Sequence, residues 1–326
     1  MKKIYIFFAS IILSLSISLP VFSKSLSVPF TIQAPEQNWS QPWQDACEET
    51  TIAMVDFFYA KNTFTTESAK TEILKIINIK NKFIGESLDE NAKTILTLIN
   101  NFLPWEAHIK ANPTLEELKY EIDNDRPIIL PVHGRYLYNP FFKNGGPDYH
   151  TLVISGYDDS TKEFITQEPG TRYGLDFRYS YDTIMNAIHD FLPDQKTMNG
   201  DKLTIFTNPS ISNSAHIDAD ADGLTKIEEI QQKTLPWSKD SDNDGYEDGK
   251  EISMGYSPIA KTTEKILLGT LIKSPESPMV YLFHNGIRRH ILNETVFINH
   301  GWKWFDIFTV PSSFVENLQL GEEIVQ

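Results

Sequence analysis

Three residues far apart in the chain have the types and order that thiol chemistry needs. Cys47 is the only cysteine in 326 residues and lies in the stretch PWQDACEET, residues 42–50. A thiolate can attack an amide carbonyl, but it needs a base to move protons and a group to orient that base. His150 begins the apolar run HTLVISGYDD, which reads as a strand centred on Val153 and Ile154. DDST then turns the chain, and KEFITQEPGT reads as the partner strand. A short hairpin of these two runs would set His150 across from Glu168 or Pro169, within cross-strand reach. A carboxylate beside an imidazole fixes its tautomer and stabilises the imidazolium. Cys47, His150 and Glu168 therefore offer nucleophile, base and orienter. His108 and His133 are the other candidate histidines of this region. The alternative for Cys47 is a buried structural thiol.

The elements that must position these groups follow from spacing. Ala46, Thr50, Ala53, Met54 and Phe57 fall on one helical face, which predicts a helix over Asp45–Tyr59. Asp45 with Glu48 three residues on has the form of a capping box. Cys47 would then occupy the first turn, where the helix dipole favours a thiolate. Glu48 and Glu49 oppose that effect if they point at the sulfur. The loop from Tyr136 to Tyr149, with Gly145-Gly146 as a hinge, is either a wall of a substrate cleft or an ordinary packed surface loop.

VPFTIQAP, PWQDACEE, PIILPVHGR, GGPDYHTLVISGYDD and FITQEPGT, spread over residues 28–209, resemble the papain-like cysteine peptidases of the bacteriocin-leader-processing type. The stand-alone secreted members are the most similar. The resemblance implies an α+β domain in which a helix carrying Cys47 packs on an antiparallel sheet carrying His150 and Glu168. It also implies an oxyanion hole made by the backbone N–H of Cys47 and a glutamine. Gln33 fits by its place in TIQAP, and Gln44, three residues before Cys47, competes for the role. Glu168 stands where the family usually has Asp. The chemistry implied is acyl transfer at a peptide or isopeptide bond, to water or to an amine, with no cofactor for catalysis.

A second pattern lies further on. The net charge is −15, and residues 212–260 hold eleven Asp and Glu against four Lys. Counting from Asp218, carboxylates fall at positions 1, 3 and 5 (Asp218, Asp220, Asp222), glycine at 6 and Glu229 at 12. Counting from Asp240, the same pattern gives Asp240, Asp242, Asp244, Gly245, Asp248 at 9 and Glu251 at 12. Position 7 supplies a backbone carbonyl, from Leu224 and Tyr246. This is the EF-hand-like calcium loop, since Ca²⁺ takes six to eight hard oxygens. Two such loops 22 residues apart resemble thrombospondin type 3 calcium repeats. They are expected to be structural sites that stiffen a connector.

The remaining expectations concern the ends and the partners. Lys2 and Lys3, then an apolar run to Leu19 broken by Pro20, read as an export signal cleaved near Ser23–Lys24, with an uncleaved anchor as the alternative. The organisation expected is a signal over 1–23, the peptidase-like domain over 24–210, the calcium segment over 211–261 and a small β-rich module over 262–326. In that module Asn285-Gly286 suits a type I′ turn, and Trp302, Trp304 and Phe305 offer a core or an aromatic platform for a glycan or wall polymer. The acidic charge argues against nucleic acid as a partner. The expectation is a secreted or surface-associated cysteine peptidase acting on peptide or wall-linked peptide. The rival is a catalytically inactive papain-like domain that serves adhesion.

Overall fold

The computed structural model describes residues 22–193, 199–253, 256–260, 269–284, 286–310 and 312–326. The expected export signal up to residue 21 and the turn residue Asn285 lie outside the described residues. In chain order the first region runs β1 (Ser23–Ser25), α1 (Cys47–Tyr59), α2 (Thr66–Phe83), α3 (Ala92–Phe102), β2 (Glu106–Ala111), α4 (Leu115–Asp123), β3 (Ile128–His133), β4 (Tyr149–Asp158), β5 (Glu163–Gln167), β6 (Phe177–Ser180), α5 (Tyr181–Ala187) and β7 (Leu203–Asn208). The sheet order is β2-β7-β3-β4-β5-β6, and β1 pairs the far half of β4, where β3 no longer reaches. All its pairings are antiparallel, so this is the expected α+β arrangement.

β4 is buried along nearly its whole length, and its sequence is apolar rather than alternating because both faces are covered. α1 packs against it. Residues Cys47 to Val55 of α1 are all buried, including Glu48 and Glu49, so more than the expected face of the helix is enclosed. Ile52, Met54, Ile73, Ile99, Leu118, Leu152, Ile154 and Phe164 form the centre of the core.

Two local expectations are corrected. The helix begins at Cys47, after a separate turn at Trp43–Asp45, and its N-cap is Ala46 with no side-chain cap. Asp45 instead accepts from Gln41 Nε2, and Glu48 is turned inward, so no capping box forms. The β4–β5 ladder pairs Val153 with Gln167 and Asp158 with Glu163, with a bulge between Ile154 and Gly156. That register continues to Gly170, not Glu168, opposite His150.

The acidic segment supplies α6 (Lys226–Gln232) and α7 (Asp248–Ser253). It then leads to β8 (Leu271–Lys273), β9 (Tyr281–His284), β10 (Ile287–His290), α8 (Glu294–Asn299), β11 (Ile307–Thr309), α9 (Ser312–Asn317) and β12 (Gln319–Leu320), which form a second sheet of order β11-β8-β9-β10-β12. His284 pairs with Ile287, leaving a two-residue turn. Trp304 stacks on the buried Phe297 at 4.1 Å, while Phe305 is 81% exposed. Among the described residues no helix is long and apolar enough to cross a membrane.

The start of the acidic segment is fastened to the first region. Glu106 at the head of β2 accepts from the backbone N–H of Asn213 and Ser214 and from the Asn213 amide. Lys226 is fully buried, and its ammonium donates to the carbonyls of Asn100 and Trp105 at 3.0 Å and to Ser214 Oγ at 3.1 Å. Lys226→Met keeps the aliphatic stem and leaves those carbonyls without a donor, a cost of about 1–3 kcal/mol. It should lower the thermal midpoint of the first region, followed by tryptophan fluorescence. A segment that merely linked two bodies would give no change.

Candidate active site

The His150–Glu168 contact is built from the end of one strand and a turn that folds back on it. His150 Nε2 lies 2.5 Å from Glu168 Oε1, with both residues buried. The β5 ladder ends at Gln167, and the next residues turn so that the Glu168 side chain returns to His150 even though the backbone partner would be Gly170. Glu168 is fully removed from solvent, and its carboxylate takes two further donors: Gly170 N–H on Oε1 at 2.9 Å and the Tyr179 hydroxyl on Oε2 at 3.0 Å. Asn139 Nδ2 donates to the Tyr179 oxygen at 2.7 Å and so aims that hydroxyl at the acid. Burial and the charge of Glu168 push the Tyr179 phenol far above its ordinary range, so it stays a donor.

The glycines of QEPGTRYG are there for space. A Cβ on Gly174 would stand 1.8 Å from the Glu168 carbonyl oxygen, which is backbone and cannot yield. A Cβ on Gly170 would meet His150 Cε1 and Glu168 Oε1 at 3.1 Å. With Nε2 held by Glu168, Nδ1 is the His150 nitrogen left to exchange a proton.

Cys47 and His150 line the same cleft, of about 1440 Å³, together with Gln33 and Gln44. Cys47 Sγ bonds to Glu48 Oε2 at 3.0 Å. Burial, with Glu48 next, pushes the thiol well above its usual range, so in this state desolvation outweighs the helix dipole. Gln33 Nε2 spends its two hydrogens on the carbonyls of Trp43 and Gln44, at 3.1 and 2.8 Å, and its backbone N–H donates to Pro169 O. It therefore ties the loop before Cys47 to the turn after Glu168. The Tyr136–Tyr149 loop does wall the cleft, through Phe141, Phe142, Lys143, Asn144 and Pro147, and Gly145 and Gly146 both have positive φ. The lining carries both signs of charge: acidic Asp45, Glu86, Asp89 and Asp148, and basic Arg135, Lys143 and Arg172. His133, stacked on Tyr136, and His108, edge-on to Phe206, do not line it.

Residues 25–192, just over half of the chain, match the Peptidase_C39 like family. The chain belongs to that family. Its first region is accordingly a cysteine-peptidase-type domain. Among solved structures, one described as a "putative C39-like peptidase from Bacillus anthracis" is similar at 17% identity, covering 57% of this chain and 97% of that chain with a TM-score of 0.38. No curated protein matches.

The acidic loops keep the two expected triads together: carboxylate oxygens of Asp218, Asp220 and Asp222, and of Asp240, Asp242 and Asp244, lie within 4.8 Å of one another. The two loops share an internal bond. Asp218 accepts from Gly223 N–H and Asp240 from Gly245 N–H, and each glycine has a positive φ near 100°. Asp220 and Glu229 are buried, and neither carboxylate has a hydrogen-bond partner. Burial and the neighbouring carboxylates push Glu229 up to about 9. Glu251 is buried on α7. Asp248 gives its oxygens to Ser241, at N–H and hydroxyl, and so closes the second loop on itself. Leu224 and Tyr246 stand at the seventh positions, each donating its N–H to the aspartate two residues back.

Tyr179, Asn139 and the two glycines are support that sequence reasoning missed; only the glycine spacing of QEPGTRYG hinted at the tight turn. Tyr179→Phe removes a donor from a carboxylate with no access to water and should cost about 1–3 kcal/mol. Gly174→Ala should cost at least as much, since the obstruction is backbone. Thermal melts of both variants check this, and an unchanged midpoint for Gly174→Ala would mean that the Glu168 turn is built differently.

Proposed function

We propose that the protein is a secreted cysteine peptidase that cleaves peptide or isopeptide bonds, wall-linked peptide included, through a Cys47 acyl-enzyme. The observation that carries the reading is the buried His150–Glu168 pair, its carboxylate fully satisfied, on the cleft that holds the chain's single thiol. In the forward step the Sγ proton passes to His150 Nδ1 and the thiolate adds to the carbonyl carbon. The tetrahedral oxyanion is held by the N–H of Cys47 and by Gln44; Gln33, whose donors are engaged, acts by fixing the loop. His150 then protonates the leaving amine, and water or a second amine displaces the sulfur. Glu168 keeps Nε2 oriented throughout. Charges of both signs along the cleft suit a peptide chain rather than an apolar substrate.

The two acidic loops are proposed to bind calcium as structural sites. Two buried carboxylates without hydrogen-bond partners, Asp220 and Glu229, are what a bound cation would satisfy. The amino-terminal charge and apolar pattern support export, and the exposed Phe305 beside Trp304 leaves the glycan or wall-polymer contact open to test.

One observation favours the catalytically silent alternative, a surface-binding protein: the resting sulfur is bonded to Glu48. Iodoacetamide alkylation across pH separates the two. An ion-paired nucleophile gives thiolate reactivity below the free-thiol range near 8.5, lost in His150→Ala. A slow profile that ignores the substitution makes Cys47 structural. For calcium, the expected result is a rise in the melting temperature on adding Ca²⁺ to chelator-treated protein, and a smaller rise for Glu229→Gln. Equal responses in both proteins would remove Glu229 from the site.

A further inference from the structure

A carboxyl group stands against the sulfur with no part in the mechanism above. Glu48 is 1% exposed. Its Oε2 is 3.0 Å from Cys47 Sγ, and its Oε1 accepts the Glu90 N–H at 2.7 Å. Adjacent helical residues do not face each other, so this contact is not a by-product of spacing. It needs Glu48 to be turned back, and the Glu90 N–H holds it so.

The surroundings give this carboxyl no cation of its own. Glu49 follows on α1 and pairs with Lys80 of α2 at 2.8 Å; Lys80 lies 3.5 Å from Glu90 and donates to Ser87 O. Asp89 and Glu90 come from the loop between α2 and α3. From β4, Tyr149 donates its hydroxyl to Glu90 O at 2.5 Å, and His150 is committed to Glu168. Asp190, after α5, accepts the Ala92 N–H at 2.8 Å. Tyr149 and Phe191 pack around the sulfur. Two anions 3.0 Å apart in such a place repel strongly, so thiolate and carboxylate exclude each other. Burial, then Glu49, pushes the Glu48 carboxyl well above the ordinary carboxylate range.

We propose that Glu48 is a positioning residue that sets the charge state of the nucleophile: as a carboxylate it accepts the Sγ hydrogen and keeps Cys47 a thiol, and as a carboxylic acid it donates to the sulfur and stabilises the thiolate. The inference rests on the reading of Cys47 as nucleophile. The protons balance. In the competent form the Sγ proton moves to His150 Nδ1 and Glu48 keeps its own. Once Glu48 has lost its proton, the same transfer would set thiolate against carboxylate, and the sulfur holds its hydrogen. The raised Glu48 group is protonated on the acid side of its folded pKa, so the competent form is favoured there and lost as pH rises through that value.

The test is the pH profile of iodoacetamide alkylation of the full chain for wild type, Glu48→Gln, Glu48→Asp and His150→Ala. The glutamine carboxamide is a permanent uncharged donor. It should keep the thiolate to higher pH and speed alkylation at neutral pH by about tenfold or more, the change in thiolate fraction for one pKa unit. Glu48→Asp, which withdraws the charge by one methylene, should shift the profile the same way by less, and it serves if the glutamine variant does not fold. Profiles that superimpose on wild type, or alkylation slower at every pH, overturn the proposal. The His150→Ala profile reports separately on the nucleophile: a Glu48 effect without a His150 effect sinks the peptidase reading, and the reverse sinks the Glu48 role.

Discussion

The constraint on which the site depends is that Glu168 is wholly out of water. A carboxylate in that position is expensive unless every oxygen has a donor. His150, Gly170 and Tyr179 supply them. Each donor in turn dictates something else. The Gly170 N–H fixes a turn too tight for a side chain at Gly174, Tyr179 must be oriented by Asn139, and His150 must sit at the start of β4. The fold thus holds one nitrogen of His150, Nε2, on a buried acid.

The Cys47 end of the cleft follows the opposite rule. There the helix start is crowded with Glu48, Glu49, Asp89 and Glu90, and one buried ammonium, Lys80, is shared by two of them. A largely buried thiol with that company is harder to ionise than a helix N-terminus alone would suggest. The balance between desolvation and dipole is therefore set by side chains that are neighbours in the first turn and in a distant loop.

Much of this was legible from local pattern. The order Cys47, His150, Glu168 and the spacing of the two acidic loops are properties of short stretches, and so is the helix after Ala46. The hairpin register was not legible. The bulge between Ile154 and Gly156 adds a residue to one strand, and its one trace in HTLVISGYDD is the glycine itself. The reach of Glu168 across that shift depends on a turn after the ladder ends. Asp45 looked like a cap because its type and spacing are right, but the chain makes a separate turn there and takes Asp45 elsewhere. The roles of Gln33 and Gln44 depend on which carbonyls lie within reach, which only three-dimensional placement decides.

Lys226 has a consequence for the order in which the molecule can be completed. The corner between α3 and β2 leaves the carbonyls of Asn100 and Trp105 pointing at a side chain more than a hundred residues further on. A chain that emerges from the ribosome or through a membrane with its amino end first presents all of Cys47, His150 and Glu168 before that ammonium arrives. Until residue 226 is out, the corner beside α1 has only water to satisfy it. Trp105, whose indole N–H holds Asp56 of the helix that begins with the thiol, lacks its final support. The first region is thus completed by a side chain of the segment that follows it, and the α3–β2 corner gains its donor only after residue 226 has been made.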